Sequence, residues 1–236
     1  MKPKYQRALL KMGGEVFSSK ENVIDKGSLE FITRELQEGL ATGTALGIVV
    51  GGGNVFRGQR ASDLGMDRVT GDYIGMLGTM IDSLALQDSL VQKGIRAKVM
   101  SAIEMSPISE RFAKEKAICH LEQGYVLIFS CGTGNPYFTT DTAASLRAVE
   151  VEADVLLKGT KVNGVYSDDP MKDPQARRFG RLCYLDVLTK RLGVMDATAV
   201  SLCMDHKLPV IVFDIYKRGN LRRVLSGEDV GTLITD

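Results

Sequence analysis

Short, nearly continuous apolar runs alternate along this chain with longer amphipathic stretches, and this alternation restricts its possible folds. The runs predict strands at residues 8–10, 46–50, 97–100, 126–129, 155–157 and 210–213. Strands that are apolar throughout are typical of a parallel sheet covered by helices on both faces. The sequence therefore predicts an α/β fold, namely a Rossmann-like three-layer α/β/α sandwich with a mostly parallel central sheet, in a single domain over residues 1–236.

Helical spacing of apolar residues fills the intervals between the strands. One predicted helix is marked by Leu29, Ile32, Leu36 and Leu40, and a second by Ile74, Leu77, Ile81, Leu84 and Ala85. Asp25 is a candidate N-cap for the first helix, and Gly94 is placed to end the second.

Composition excludes several classes of function. A formal net charge of +1 does not suggest a basic surface of the kind that binds nucleic acid or an anionic membrane. Four cysteines without Cys-x-x-Cys spacing predict a reducing, cytoplasmic location, and Cys203 with His206 lacks a second ligand pair, so no protein-held metal is expected. The first residues lack the apolar core of a signal peptide.

Three glycine-containing turns follow predicted strands: Gly13-Gly14, Gly51-Gly52-Gly53 and Gly132-Thr133-Gly134. In open parallel sheets, ligands bind beyond the carboxyl ends of the strands, so these turns predict one site at that edge. The loop at residues 130–141 joins a strand to a helix and suits a phosphorylated ligand, because glycines allow close approach and helix-start N–H groups bind oxyanions. Its Gly-Asn-Pro sequence is also ordinary turn chemistry.

The familiar nucleotide-binding fingerprints are missing. Gly51-x-Gly53 is followed by Phe56 where a dinucleotide fingerprint needs glycine, and no Gly-x-x-x-x-Gly-Lys-Ser/Thr occurs. Cations do accompany the glycine turns, as Lys11, Arg57 and Lys161. Phosphoryl transfer needs two phosphates held in line and their charge neutralised, which amides, Lys/Arg and Mg²⁺ provide, so this pattern favours that reaction.

These residues resemble the amino acid kinase superfamily and, within it, the bacterial-type uridylate (UMP) kinases. The resemblance runs from Arg7 to Thr235. Its blocks are LKMGGE at 10–15, GGGNVFRG at 51–58, GDYIGML at 71–77, GTGNPYFTTD at 132–141, TKVNGVY at 160–166 and DHKLP at 205–209. The first two mark the superfamily, and the third and fourth are similar to uridylate kinases.

The resemblance implies ATP-dependent phosphorylation of UMP to UDP in pyrimidine nucleotide synthesis, with Mg²⁺ bound mainly through nucleotide phosphates. It implies catalytic roles for Lys11, Arg57, Asp141 and Asp196, in which Asp141 orients the lysine. It implies ATP contacts from Lys11, Met12, Gly13, Gly14, Gly53, Arg57, Thr160, Lys161, Tyr166 and Asp169. It implies UMP contacts from Gly52, Asp72, Thr133, Gly134, Asn135, Pro136, Tyr137, Phe138, Thr139 and Thr140, with Asp72 accepting ribose hydroxyls. Helix N-capping is the alternative role for Asp141 and Asp196.

The resemblance also implies a homohexamer under allosteric control. The chain departs from the family pattern at residues 16–24, which lack the glycines that take part in GTP activation. The sequence therefore predicts weak or no activation by GTP, while UTP inhibition through the UMP pocket is expected to remain.

Two alternative functions stay open at this point. One is an amino-acid or acetylamino-acid kinase of the same fold, although the Asp72 carboxylate would repel an acidic substrate and suits a sugar diol. The other is a non-catalytic nucleotide-binding subunit, which fold alone does not exclude.

Overall fold

In the part of the chain that the structure describes, nine strands form one sheet. The computed structural model describes residues 3–57, 61, 63–168, 170, 172–173 and 175–236. The strands are β1 Arg7–Met12, β2 Ala45–Val50, β3 Ala97–Ser101, β4 Glu110–Arg111, β5 Val126–Ser130, β6 Val155–Thr160, β7 Arg181–Leu182, β8 Val210–Asp214 and β9 Thr232–Ile234. Their order across the sheet is β4-β3-β5-β2-β1-β6-β8-β9-β7, and all of these pairings are parallel except that of β8 with β9.

The six predicted strands are confirmed as β1, β2, β3, β5, β6 and β8. Sequence reasoning missed β4, β7 and β9, because strands of two or three residues carry no apolar run. The antiparallel pairing of β8 with β9 turns the chain back at one side of the sheet. The prediction of a mostly parallel sheet is confirmed.

Helices cover both faces of the sheet. They are α1 Lys26–Leu40, α2 Arg68–Gln92, α3 Lys114–Glu122, α4 Thr140–Glu150, α5 Tyr184–Thr189, α6 Ala197–Asp205 and α7 Asn220–Leu225. One buried apolar cluster joins the sheet to α1, α2 and α7, and a second joins its other face to α3, α4, α5 and α6. This arrangement confirms the three-layer sandwich. In the described part of the chain, no helix is both long and apolar enough to cross a membrane.

Both helix-boundary predictions are confirmed. The Asp25 carboxylate accepts a hydrogen bond from Ser28 N at 2.8 Å and caps α1. Gly94, which follows the C-cap Lys93 of α2, adopts φ +75°, the left-handed conformation with which many helices end.

Helix α2 buries a different face from the one that its most evident apolar stripe marks. Leu77, Ile81 and Leu84 are exposed, whereas the inward face combines Met76 and Met80 with small or polar residues. Close contact with a loop explains this composition. A Cβ on Gly52 would lie 2.6 Å from Gly75 O, so loop and helix backbones touch where no larger side chain fits.

Candidate active site

Two glycine turns meet at the carboxyl edge of the sheet. Gly13 and Gly14 follow β1, Gly51 to Gly53 follow β2, and Gly51 N donates to Met12 O at 2.9 Å. A Cβ on Gly14 would lie 2.6 Å from Gly51 O, so the turns leave no room for a side chain between them. The Met12 side chain is buried in the core, which leaves its backbone as the part that could meet a ligand.

Two lysines on neighbouring strands bind one carboxylate at this edge. Lys11 on β1 and Lys158 on β6 are partners in the parallel register, which places both side chains on the same face. Asp141, in the first turn of α4, lies between them. Its Oδ1 is 3.0 Å from Lys11 Nζ and its Oδ2 is 2.6 Å from Lys158 Nζ. The carboxylate thus offsets the repulsion of two facing ammonium groups.

The electrostatics of this cluster follow from its burial. Burial raises the pKa of Asp141, but Lys11 and Lys158 outweigh it and hold that pKa below its usual range. Burial lowers the pKa of Lys158, opposed by Asp141. Lys158 Nζ also donates to Val194 O. The result is a fixed pair of cations with one shared anion, which is a suitable surface for a charged phosphoryl group.

Asp196 lies at the start of α6, whereas Asp141 lies in the first turn of α4. It caps α6 by accepting from Ala199 N at 3.0 Å, and it accepts hydrogen bonds from Thr142 Oγ1 at 3.0 Å and from the Thr139 hydroxyl. Thr139, not Asp141, caps α4, since its hydroxyl accepts from Asp141 N at 3.1 Å. Asp141 is therefore free of a capping role, and Asp196 joins the starts of two helices.

A smaller cavity of about 360 Å³ collects most of the residues that the sequence assigned to UMP. Its lining includes Gly52, Gly53, Arg57, Arg68, Asp72, Thr133, Phe138, Thr139 and Thr140. Arg57 lies here, with Nε donating to Gly53 O at 3.1 Å, and Arg68 is a cation that sequence reasoning missed. Gly134, Asn135, Pro136 and Tyr137 are not among the lining residues.

Asp72 anchors the loop at the rim of this cavity. Its Oδ2 accepts from Tyr137 N at 2.7 Å and from Arg68 Nε at 2.8 Å. Tyr137 has φ +73°, a costly conformation for a residue with a side chain, and the Asp72 bond holds it there. A carboxylate has about four acceptor positions, so this one retains capacity for a ligand hydroxyl.

A larger cavity of about 630 Å³ opens beside the cluster. Thr160, Tyr166 and Lys158 line it, together with residues 190–194. Lys161 is exposed and is not among its lining residues. Asp169, also assigned to ATP from the sequence, lies outside the described residues.

Lys158 is the main functional residue that sequence reasoning missed. The sequence predicts a strand that ends at Leu157, with Lys161 as the cation that follows it. The strand in fact continues to Thr160. A lysine directly after a buried apolar run, Lys158 after Leu157 in β6 as Lys11 after Leu10 in β1, was the signal that could have found it.

The sequence and the structure of this chain are similar to those of known proteins. Residues 6–214 match the family model described as the amino acid kinase family. The chain is 49% identical over 233 residues to a uridylate kinase from Porphyromonas gingivalis, covering 98% of both chains. A UMP kinase structure from Bacillus anthracis is 38% identical with a TM-score of 0.96, covering 98% of this chain and 96% of that one. One from Ureaplasma parvum is 33% identical with a TM-score of 0.92, covering 99% and 100%.

Proposed function

Because this chain belongs to the amino acid kinase family and, within it, to the uridylate kinases, we propose that it transfers the γ-phosphoryl group of ATP to UMP. The products are ADP and UDP, which serve pyrimidine nucleotide synthesis. The observation that carries this proposal is the Lys11–Asp141–Lys158 cluster. Lys158 lines the larger cavity, and Asp141 directly follows Thr140, which lines the smaller one, so the cluster connects them.

Each of the two substrates binds in its own cavity. The larger cavity, with Thr160 and Tyr166, receives the adenosine of ATP, and the Gly13-Gly14 turn receives its phosphates through backbone N–H groups. The smaller cavity receives UMP, with Asp72 accepting a ribose hydroxyl. Mg²⁺ enters as part of the substrate, since this ion is usually held by phosphate oxygens with few protein ligands.

Catalysis rests on positioning and charge. Lys11 and Lys158 stabilise the negative charge spread over the transferring group, and Asp141 fixes the direction of both ammonium groups. Arg57 and Arg68 face the UMP phosphate in the smaller cavity. Asp196 acts on the reaction through Thr139 and Thr142, by fixing the start of α4 that carries Asp141.

The same family membership guides the remaining assignments. Association of copies, as expected for a homohexamer, is supported by the exposed apolar face of α2, and a cytoplasmic location by four cysteines that are all free. Binding of UTP in the smaller cavity is expected to inhibit. The alternative of an amino-acid kinase is disfavoured by the Asp72 carboxylate in that cavity, and a binding-only subunit would not need two lysines held on one carboxylate.

ATP consumption measured with UMP, CMP, glutamate, acetylglutamate and aspartate tests the proposal. A site that hydrogen-bonds the uracil edge leaves buried groups unpaired with cytosine, so kcat/KM should favour UMP by a large factor, up to about 10⁴. Lys11→Ala protein purified in parallel controls for contaminating kinases. Equal kcat/KM for UMP and CMP, or faster turnover of acetylglutamate, contradicts the assignment.

A further inference from the structure

A buried carboxylate outside the active-site cluster holds one of the phosphate-binding turns. Asp82, on the inward face of α2, has no exposed surface. Its Oδ1 accepts from Asn54 Nδ2 at 2.8 Å. Asn54 belongs to the segment 51–57, hereafter the triglycine loop, and its Nδ2 also donates to Val23 O at 2.9 Å. Both amide protons are thereby used, and Asn54 connects the loop to α2 and to the segment before α1.

The same asparagine limits the space around the first turn. A Cβ built on Gly14 would lie 2.0 Å from Asn54 Oδ1. Gly52 of the loop lies against α2, because a Cβ built on Gly52 would be only 2.7 Å from Thr79 N. A shift of Asn54 would therefore change the clearance at Gly14, where backbone N–H groups are placed to receive phosphate oxygens.

Two buried atoms in this contact have no hydrogen-bond partner within the described part of the chain: Asp82 Oδ2 and Asn54 Oδ1. An ionised carboxylate in that position would be buried beside an amide, without a cation, which is costly. A protonated carboxylic acid avoids this cost and keeps Oδ1 as acceptor for Asn54. Burial raises the pKa of Asp82 to about 7, only partly opposed by the Asn54 hydrogen bond.

Among the residues that the structure describes, Asp82 has no charged partner on the surrounding elements. β2 and β5 carry no titratable side chain, and on β3 Lys98 pairs with Glu110 at 2.6 Å. On α1, Glu35 accepts from Gly219 N at 2.9 Å. The other titratable groups on α1 and the segment before it are Glu15, Lys20, Glu21, Lys26, Glu30, Arg34 and Glu38, all exposed, and the N-cap Asp25.

We propose that Asp82 is a positioning residue for ATP binding, which acts in its uncharged form by holding Asn54 and, through it, the triglycine loop against Gly14. This inference rests on the proposed function, because it takes the Gly13-Gly14 turn as the site of the ATP phosphates. Those anionic phosphates would lie close to Asp82 in a region of low dielectric and would further disfavour its ionised form. ATP binding near neutral pH is therefore coupled to proton uptake by Asp82.

Isothermal titration calorimetry of Mg·ATP in buffers of different ionisation enthalpy measures this uptake. Asp82→Asn is the matched variant, since asparagine keeps the acceptor for Asn54 and cannot ionise. At pH 7 the wild type should take up more protons per site than Asp82→Asn, by up to about half a proton. If only the neutral form binds, the wild-type Kd should weaken about tenfold more than that of Asp82→Asn between pH 6 and pH 8.

Two further variants separate positioning from general stability. Ser83→Ala alters a neighbouring buried side chain whose hydroxyl bonds within α2, to Thr79 O at 2.7 Å, and should keep the wild-type proton uptake. Asn54→Ser should raise the Kd for ATP about tenfold with a smaller change for UMP, since it removes the bond that fixes the loop. Equal proton uptake by wild type and Asp82→Asn overturns the inference and leaves the kinase assignment intact. A wild-type protein that does not bind ATP overturns both.

Discussion

At the scale of single residues, the site depends on how one carboxylate is shared. Asp141 meets Lys11 on one oxygen and Lys158 on the other, and all three side chains are largely buried. Two lysines in register on adjacent strands would repel each other if Asp141 were lost, so the cluster functions as a unit. Removing any member is expected to cost activity, and the effects of paired substitutions should not add.

Lys158→Met tests the lysine that sequence reasoning missed. Methionine has a similar length and no charge. The variant should fold, because it replaces an ammonium group whose burial is unfavourable, as the lowered pKa of Lys158 shows. We expect kcat to fall about 10²-fold or more, because one source of charge stabilisation in the transition state is gone. Steady-state kinetics and thermal melting measure the two effects. Lys114→Met, the same change in a surface pair 3.0 Å from Glu152, is the control. A wild-type kcat in Lys158→Met would show that Lys158 takes no part in catalysis.

At the scale of secondary-structure elements, the accuracy of sequence reasoning followed the strength of the local signal. The long strands were predicted because short runs of mostly apolar, buried residues leave few alternatives. The stripe with Leu77 and Ile81 correctly predicted a helix, but it lies on the exposed face of α2. The inward face carries buried Met76 and Met80 together with small residues where it touches the triglycine loop. Sequence reasoning missed Lys158 because the ends of strands are uncertain by a few residues. Asp82 had no sequence signal, because its environment is made by residues distant along the chain.

The segment after the first glycine turn gives an element-scale prediction about regulation. Val16 and Phe17 are buried in the core, 5% and 0% exposed, and thus offer neither backbone nor charge to a triphosphate. We expect GTP to change the rate at subsaturating UMP less than about twofold, since an effector shifts an equilibrium only through differential affinity. Initial rates with and without GTP, with UTP as a nucleotide control that should inhibit, measure this. Strong activation by GTP would show that an effector site lies elsewhere.

At the scale of the whole molecule, α2 presents an apolar surface to solvent. Tyr73, Leu77, Ile81 and Val91 are each more than 40% exposed. A row of large apolar side chains on one helix is typical of an interface between chains.

The single domain over residues 1–236 stays a prediction, which the continuous sheet supports.

Paired substitution of Leu77 and Ile81 by glutamate tests this surface. If α2 packs against a second copy of the chain, four buried carboxylates per pair of chains should break the contact and lower the molar mass measured by light scattering. Leu185→Glu, at another exposed leucine on α5, is the control and should keep the wild-type mass. An unchanged mass for the double variant would exclude α2 from the assembly contact.

The position of β1 in the sheet has a consequence for how the protein is made. Strands β1 to β5 form one contiguous half, β4-β3-β5-β2-β1, but the other neighbour of β1 is β6, which lies about 140 residues later in the chain. Ribosomes add about 5–20 residues per second, so β1 waits on the order of 10 s for this partner. During that interval its apolar edge, including Leu9 and Leu10, is open to pairing with another nascent chain. Pairing of this edge during synthesis is thus a route to aggregation that the finished sheet closes, because β6 then covers β1.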